Sequence, residues 1–242
     1  MRLSVVIPAF NEEKLLPRTL AAVAQAVGAF RARGWESEVI VCDNNSTDRT
    51  TEVARAAGAT VVFEPINQIG RARDAGARVA TGDWLIFIDA DSWPSAELFA
   101  DIAAAIADGR HLGGGSTVAL EPGTPFFARF FCGCWNAVSR MARWAAGSCV
   151  WVEASAFRAA GGFGTEFYAG EEVFLSRRLH RIARERRLRF RVLAAHPLAT
   201  SSRKLKLYTL TETVRFFGRM FFSAGRAAKD PQACHLWYDG RR

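Results

Sequence analysis

Two aspartates follow an apolar run in the first half of the chain. Asp89 and Asp91 are separated by one alanine and come directly after residues 84–88, Trp-Leu-Ile-Phe-Ile. Carboxylates at this spacing converge on one cation where the chain bends, and Mg²⁺ and Mn²⁺ prefer carboxylate and phosphate oxygens. Such a cation would bridge a diphosphate and neutralise the charge on a leaving nucleotide. The alternative is a solvated turn in which Asp91 or Ser92 caps the next helix.

A second acidic pair, Glu171 and Glu172, stands where the pattern predicts a helix over residues 171–184. Acidic side chains in the first turn of a helix are stabilised by the helix macrodipole. That explanation requires no catalysis. A role as general base would require a carboxylate within hydrogen-bond reach of the reacting hydroxyl.

Strands and helices alternate in the first half of the chain. Strand patterns alternating with helical patterns predict a parallel sheet with helices on both faces. In such sheets ligands bind at the carboxyl ends of the strands, and here the loops after the first, second and fourth strands are polar or acidic. The predicted strands cover residues 3–7, 38–42, 60–63 and 84–88, and the predicted helices cover residues 13–30, 51–57, 70–80 and 94–107.

The second half of the chain is less regular. Besides the helix at the acidic pair, it shows helical patterns over residues 126–146 and 205–228, and strand patterns over 149–152 and 190–193. Both helical segments are rich in phenylalanine and arginine. We expect the first to pack its apolar stripe on the sheet with its arginines in water. For the second, packing on the protein, an interfacial membrane helix and a dimer interface all stay open.

Four ordered motifs resemble those of family 2 glycosyltransferases with the GT-A fold. Together they span roughly residues 3 to 180. The resemblance is carried by the whole ordered set, since each motif alone is modest. The motifs are Val-Val-Ile-Pro-Ala-Phe-Asn-Glu-Glu at 5–13, Val-Cys-Asp-Asn-Asn-Ser-Thr-Asp-Arg-Thr at 41–50, the stretch 80–91 ending in Asp-Ala-Asp, and Gly-Gly-Phe at 161–163 followed by Gly-Glu-Glu at 170–172.

The resemblance implies an α/β fold of the GT-A type, with a mostly parallel central sheet and helices on both faces. It implies a single domain with a nucleotide-sugar-binding half at residues 1–110 and an acceptor-binding half at residues 111–204. Residues 205–242 would add a C-terminal helix and tail. The implied activity is metal-dependent transfer of a sugar from a nucleoside diphosphate sugar to an acceptor hydroxyl, with inversion at the anomeric carbon.

The resemblance also implies which residues bind the donor. Asp43 would accept N–H groups of the base, although a cap or Asx-turn for Ser46 and Thr47 accounts for it equally well. For the arginines, the alternative is a solvated surface position. The implied donor-binding residues are Pro8, Ala9, Phe10, Glu12, Asp43, Arg71, Arg73, Asp89, Ala90 and Arg203.

For the metal, the resemblance implies Asp91 as the direct ligand of Mn²⁺ or Mg²⁺, with Asp89 near the ribose and the metal. His196 would complete the site, unless it is a structural histidine. Glu172 takes the place of the family's catalytic base, and Glu171 is the alternative. The family has aspartate at this place, so the longer glutamate leaves the geometry open.

Charge and composition restrict the partners. The net charge of +8 is concentrated after residue 129, yet no nucleic-acid-binding motif accompanies it, so we expect no nucleic acid. The expected donor is a UDP- or GDP-sugar, and the acceptor is a sugar, a lipid-linked molecule or a small molecule. A homodimer and peripheral membrane contact through residues 205–228 stay open.

The five cysteines lack zinc-site spacing, which favours reduced thiols in a cytosolic protein. The N-terminal apolar stretch ends at Pro8, as in a buried strand rather than a signal peptide. No apolar run approaches the length of a membrane span. We therefore expect a cytoplasmic protein, with the inner face of the membrane as the alternative.

Two other classes stay open, and a third fits the sequence poorly. A nucleotidyltransferase shares the strand-then-acid arrangement, but its first loop is usually rich in glycine, whereas Ala-Phe-Asn-Glu-Glu at 9–13 has none. A non-catalytic nucleotide-sugar-binding protein would have lost the base. A dinucleotide-binding dehydrogenase is a poor fit, because no G-x-G-x-x-G follows the first strand.

Overall fold

The computed structural model describes residues 1–203, 227–230 and 234. The apolar runs of the sequence become strands of one sheet. In chain order the strands are β1 (Arg2–Ala9), β2 (Glu36–Asp43), β3 (Thr60–Phe63), β4 (Trp84–Ile88), β5 (Ser92–Trp93), β6 (His111–Leu120), β7 (Cys149–Glu153) and β8 (Arg189–Thr200).

Helices connect most of these strands, and a short 3₁₀ turn (Ala227–Lys229) follows late in the chain. The predicted helix over residues 13–30 is divided in two at Val27. The helices are α1 (Leu16–Ala26), α2 (Gly28–Arg31), α3 (Thr50–Ala56), α4 (Ile69–Val79), α5 (Ala96–Ala107), α6 (Phe126–Ala142), α7 (Ala154–Ala159) and α8 (Glu171–Glu185).

The strand order across the sheet is β3-β2-β1-β4-β7-β6-β8-β5. The first-half strands β3, β2, β1 and β4 are parallel, and so are β6 and β8. The short β5 and the inserted β7 run antiparallel to their neighbours. The predicted α/β class with a mostly parallel sheet is confirmed.

The two faces of the sheet are covered by different helices, which explains why β1 is buried from Leu3 onward and β4 is buried throughout. Leu3, Val5 and Ile7 of β1 pack with α1 and α5 on one face. Val6 packs on the other face with residues of α7 and α8. A Cβ added at Gly76 of α4 would lie 2.5 Å from Val6 Cγ1, so a glycine is needed for this close helix contact.

Helix α6 differs most from the prediction. The helix ends at Ala142 rather than near residue 146, and its phenylalanines point away from the sheet. Phe126 is 83% exposed, and only Ala128 and Ser139 of this helix are buried. The expected packing of its apolar stripe on the sheet is therefore wrong. The predicted helix over residues 205–228 lies almost wholly outside the described residues.

All five cysteines are free, which agrees with the expectation of reduced thiols. Within the described residues, no helix has the length and apolar character needed to cross a membrane.

Candidate active site

A cleft of about 380 Å³ lies at the edge of the sheet where β1 and β4 end. The loops after these two strands form one side, and α6, the segment before β7 and the start of α8 form the other. The cleft brings together ten of the residues predicted from the sequence: Pro8, Ala9, Phe10, Glu12, Arg73, Asp89, Ala90, Asp91, Glu171 and Glu172.

The acidic turn after β4 is held in place through its backbone. Thr19 Oγ1 donates a hydrogen bond to the Ala90 carbonyl at 2.7 Å, and the Ser201 amide donates to the Asp91 carbonyl at 3.0 Å. The turn is thereby fixed by α1 on one side and by the segment after β8 on the other. Both aspartate side chains remain partly accessible, at 23% for Asp89 and 13% for Asp91.

The alternative in which Asp91 or Ser92 caps the following helix is wrong. Ser95 is the N-cap of α5, where its hydroxyl accepts a hydrogen bond from the Leu98 amide at 3.1 Å. Ser92 instead begins β5, which pairs with the end of β8. The aspartate side chains are therefore not needed for the helix start.

Arg73 of α4 joins the acidic turn to the start of α8. Its Nη2 donates to Asp89 Oδ1 at 2.7 Å and to the Gly147 carbonyl at 2.8 Å, and its Nη1 donates to Glu171 Oε1 at 2.5 Å. Burial alone would lower the pKa of Arg73, but the carboxylates of Asp89, Glu171 and Glu172 outweigh it and raise that pKa. Arg73 is therefore a permanent buried cation at the centre of the site.

The two glutamates at the start of α8 have different surroundings. Glu171 is buried and its carboxylate is bonded to Arg73, whereas Glu172 is half-buried and lies beside Gly147 in the cleft. Burial and the negative charge of Glu171 raise the pKa of Glu172 to about 8. Of the pair, Glu172 is thus the group placed to exchange a proton near neutral pH.

Arg203, in the segment after β8, does not line the cleft but lies beside two residues that do. Its Nη2 lies 2.6 Å from Glu12 Oε1 and 3.9 Å from Asp91 Oδ2. Burial alone would lower the pKa of Arg203. The hydrogen bond to Glu12 and the negative charge of that carboxylate outweigh burial, so the pKa of Arg203 is raised. A guanidinium beside the acidic turn is positioned to contact an anionic group bound there.

Asp43 hydrogen bonds within its own loop. Its Oδ1 accepts from the Ser46 amide at 2.9 Å and its Oδ2 accepts from Thr51 Oγ1 at 2.6 Å. This is the turn-forming alternative that the sequence left open. The base-binding role of Asp43 stays a prediction.

Two further predicted residues do not line the cleft. Arg71 Nε donates to Gln68 Oε1 at 2.9 Å and stays at the start of α4. His196 Nδ1 lies 2.9 Å from Asp101 Oδ2 of α5, and its side chain is 46% exposed. The structure therefore separates His196 from Asp89 and Asp91 and gives no support to its predicted role as a metal ligand.

The acidic turn fits a hard divalent cation shared with a phosphate ligand. Among the described residues, no group of three or more histidine, cysteine or acidic side chains is arranged to hold a metal by itself. Asp91 and the free oxygen of Asp89 supply two carboxylate donors in an accessible cleft. Mg²⁺ and Mn²⁺ sites of this kind take their remaining ligands from water and substrate phosphate.

Two residues that shape the site were not among the site residues predicted from the sequence. Asn44 Nδ2 donates to the Glu64 and Ile66 carbonyls, and its Oδ1 accepts from the Gln68 amide, so it fixes the loop before α4. Asp74 accepts hydrogen bonds from the amides of residues 163 and 164 and ties α4 to the Gly-Gly-Phe turn. These are contacts between distant segments, which spacing alone does not show.

The family model described as glycosyl transferase family 2 matches residues 4–143, more than half of the chain. The chain therefore belongs to glycosyl transferase family 2. An uncharacterized glycosyltransferase of Mycobacterium tuberculosis is 44% identical over 88 residues, which are 36% of this chain and 36% of that protein. The 4,4'-diaponeurosporenoate glycosyltransferase of Staphylococcus haemolyticus is 40% identical over 96 residues, 37% of this chain and 24% of that protein. The matches thus span between about a quarter and just over a third of the length of these curated relatives.

Solved structures with this fold cover nearly the whole chain. The S. aureus TarS 1-349 complex with UDP-GlcNAc has a TM-score of 0.65 at 17% identity, over 99% of this chain and 71% of that one. The mannosyltransferase PcManGT from Pyrobaculum calidifontis, in complex with GDP-Man and Mn²⁺, has a TM-score of 0.64 at 21% identity, over 97% and 69%. These likenesses confirm the predicted GT-A fold.

Proposed function

We propose that this protein transfers a sugar from a nucleoside diphosphate sugar to an acceptor hydroxyl, with inversion at the anomeric carbon. The observation that carries the proposal is the connection made by Arg73. One buried guanidinium contacts both the acidic turn through Asp89 and the acid pair through Glu171. A cation-binding turn and a candidate base are thereby held on one cleft.

The donor is proposed to bind along the loop after β1 and the acidic turn. Asp91, with Asp89, would hold a divalent cation, which stabilises the charge of the departing nucleoside diphosphate. Arg203 lies beside both Glu12 and Asp91 and would contact the diphosphate there. Asp43 and Arg71 keep their proposed contacts to the nucleotide, although neither lines the cleft as it stands.

Glu172 is proposed as the base. Its carboxylate would take the proton of the acceptor hydroxyl while that oxygen forms a bond to the anomeric carbon. The bond from the anomeric carbon to the diphosphate oxygen breaks on the opposite side, so configuration inverts. Glu171 is less suited to this role, because its carboxylate is buried and hydrogen bonded to Arg73.

The solved structures with the same fold support the class of donor. TarS was crystallised with UDP-GlcNAc, and PcManGT with GDP-Man and Mn²⁺. We therefore propose a UDP- or GDP-sugar donor with Mn²⁺ or Mg²⁺ for this chain. The acceptor is proposed to be a sugar, a lipid-linked molecule or a small molecule. A cytoplasmic location or one at the inner membrane face, and a homodimer, also stay proposals.

The test is a thermal-shift screen of UDP-, GDP-, CMP- and dTDP-sugars, each with Mn²⁺, Mg²⁺ or EDTA. A ligand that binds only the native state stabilises it by about 2.7 kcal/mol at a hundredfold excess over its Kd. This stabilisation raises the melting temperature. We expect one nucleotide class to stabilise the protein only when the metal is present. Stabilisation that is equal in EDTA would contradict the metal assignment, and no stabilisation by any donor would contradict the proposed function.

A further inference from the structure

One surface of the molecule is apolar where a folded domain is normally polar. The apolar side chains of α6 form what is called here the α6 face: Phe126, Phe127, Phe130, Phe131, Val138 and Met141. All six are exposed, with Phe126 at 83% and Met141 at 86%. Exposed apolar residues that occur singly need no explanation, but a contiguous patch of this kind marks a contact site.

The orientation of α6 is enforced by polar contacts on its inner side. Asn136 accepts a hydrogen bond from the Val118 amide at 2.9 Å and donates one to the Val118 carbonyl at 2.8 Å. Ser139 Oγ donates to the Trp144 carbonyl at 2.5 Å. These contacts bind the polar side of the helix to β6 and to the following segment, so the apolar side must face outward.

The charged residues of α6 and of the segments next to it in sequence have one sign. No acidic residue occurs between Glu121 and Glu153, whereas three arginines do: Arg129, Arg140 and Arg143. Arg140 and Arg143 also line a cavity of about 590 Å³ with Arg189 and Arg191 of β8. The patch therefore combines phenylalanines with a border of arginines, which is the composition of segments that bind anionic lipid surfaces.

We propose that the α6 face docks the protein on the surface of an anionic phospholipid bilayer. Two other partners for this face are a second copy of the chain and the chain's own residues 204–226, and charge disfavours both. A second copy would bring the same arginine border against itself. Residues 204–226 of the chain carry five lysines and arginines and one glutamate, so this segment has the same sign of charge as the α6 face. An anionic lipid surface complements both the apolar and the basic part.

Docking through α6 also has a consequence for the acceptor, which rests on the proposed function. Cys132 and Trp135 on the inner side of the same helix line the cleft. The helix that contacts the lipid therefore also forms one wall of the site. An acceptor displayed at the lipid surface would therefore lie beside the cleft.

The test is flotation of the full-length protein with vesicles of phosphatidylcholine mixed with phosphatidylglycerol, and with vesicles of phosphatidylcholine alone. We expect binding to the mixed vesicles, weaker binding at high salt, and little binding to phosphatidylcholine alone. The double variant Phe126→Ser/Phe130→Ser should lose at least about tenfold in vesicle affinity, because apolar area no longer enters the interface. Its melting temperature should stay unchanged, since both side chains are exposed.

Two matched controls separate docking through α6 from non-specific binding to vesicles. Phe63 of β3 is 59% exposed against 58% for Phe130, and β3 lies at the opposite edge of the sheet. Phe63→Ser should therefore leave vesicle affinity unchanged. Arg129→Ala/Arg140→Ala should lower affinity for the mixed vesicles by roughly tenfold or more. Arg31→Ala/Arg55→Ala removes the same charge from exposed positions and should not.

An equal loss of vesicle affinity in the α6 variants and in their controls would overturn the proposal. Equal binding to mixed vesicles and to vesicles of phosphatidylcholine alone would also overturn it. Self-association of the wild type through α6 without vesicle binding would overturn it in favour of a second copy. Nucleotide-sugar thermal shifts are measured on the same variants. Normal shifts without vesicle binding would reject the docking surface alone, whereas vesicle binding without any shift would reject the proposed function alone.

Discussion

Arg73 Nη1 lies 2.5 Å from Glu171 Oε1, although 98 residues separate the two in sequence. Their side chains are only 2% and 4% exposed, so this is a desolvated ion pair. Such a pair is favourable only when further hydrogen bonds satisfy the ions, and Arg73 gains them from Asp89 and the Gly147 carbonyl. The ion pair therefore holds the two sides of the cleft together.

Removing this cation should destabilise the fold strongly. Arg73→Met leaves buried carboxylate charge without a partner, which costs about 3–5 kcal/mol. Arg78 of the same helix makes a 3.7 Å pair with Glu64 but is 70% exposed, so Arg78→Met should cost about 0–1 kcal/mol. Urea unfolding measures both, and equal losses would contradict a central role for Arg73. If Arg73→Met does not fold, Arg73→Lys serves instead, since one ammonium cannot replace all three contacts.

Glu172 should make stability depend on pH. Its pKa is about 8 in the folded protein against an ordinary value of 4.5, so the folded state binds more protons between these values. Stability from this group is present below pH 4.5 and is lost as pH rises towards 8. Glutamine does not titrate, so Glu172→Gln does not lose this stability. The melting temperature of Glu172→Gln minus that of wild type should therefore increase from pH 5 to pH 8.

The control for that measurement is Glu185→Gln at the far end of the same helix, where the side chain is exposed. Each kcal/mol corresponds to about 2–4 °C in a domain of this size. We expect the advantage of Glu172→Gln over Glu185→Gln to reach a few degrees at the upper end of the range. A difference that is constant with pH would contradict the raised pKa.

A side chain at Gly147 should displace its neighbours in the cleft. A Cβ there would lie 3.3 Å from both Arg73 Nη2 and Glu172 Cδ, closer than nearly all real contacts. Gly147→Ala should displace one or both groups and lower nucleotide release by roughly tenfold to a hundredfold. A Cβ at Gly28 meets nothing within 4 Å, so Gly28→Ala is the matched control and should keep full activity. Equal activity of the two variants would show that the contact does not position Glu172.

Arg203 should act on donor affinity rather than on the chemical step. Arg203→Ala removes a guanidinium from beside Glu12 and Asp91, and a lost bond to a charged group is worth about 1.5–3 kcal/mol. We expect the Kd of the nucleotide sugar, measured by titration calorimetry, to rise at least about tenfold. Glu172→Gln should leave that Kd nearly unchanged. A raised Kd in Glu172→Gln with an unchanged Kd in Arg203→Ala would contradict the assignment of Arg203 to donor binding and of Glu172 to the chemical step.

The side of the cleft that is proposed to bind the donor could be predicted because it depends on local patterns. Strands β1 and β4 are short apolar runs that end in polar loops, and parallel strands bring those loops to one edge. Asp89 and Asp91 were found in this way. The side that is proposed to bind the acceptor depends on contacts between distant segments, such as the hydrogen bonds that Asp74 accepts from the amides of residues 163 and 164.

The sequence pattern gave no strand at β6 and only residues 190–193 of β8, for a physical reason. Residues 113–115 of β6 are glycines, which have low strand propensity and give no alternation of apolar side chains. They are needed because a Cβ at Gly114 would meet the Arg191 carbonyl oxygen of β8 at 1.8 Å. Strand β8 in turn carries arginine and histidine on its exposed positions, so only its apolar residues 190–193 were recognised as a strand.

The exposed face of α6 shows the limit of periodicity. The spacing of its phenylalanines correctly predicts an amphipathic helix, but periodicity does not say which side of a helix faces the protein. The side is decided by Asn136 and its two hydrogen bonds to Val118.

The most direct test of the account is release of the nucleoside diphosphate from the donor that the thermal-shift screen identifies, with water as the acceptor. Wild type, Glu172→Gln and Glu185→Gln are compared at pH 8 with Mn²⁺ and with EDTA. The account predicts metal-dependent release by wild type and Glu185→Gln, and a loss of about 10²–10⁴-fold in Glu172→Gln. Equal release by Glu172→Gln and wild type would contradict the assignment of Glu172 as the base.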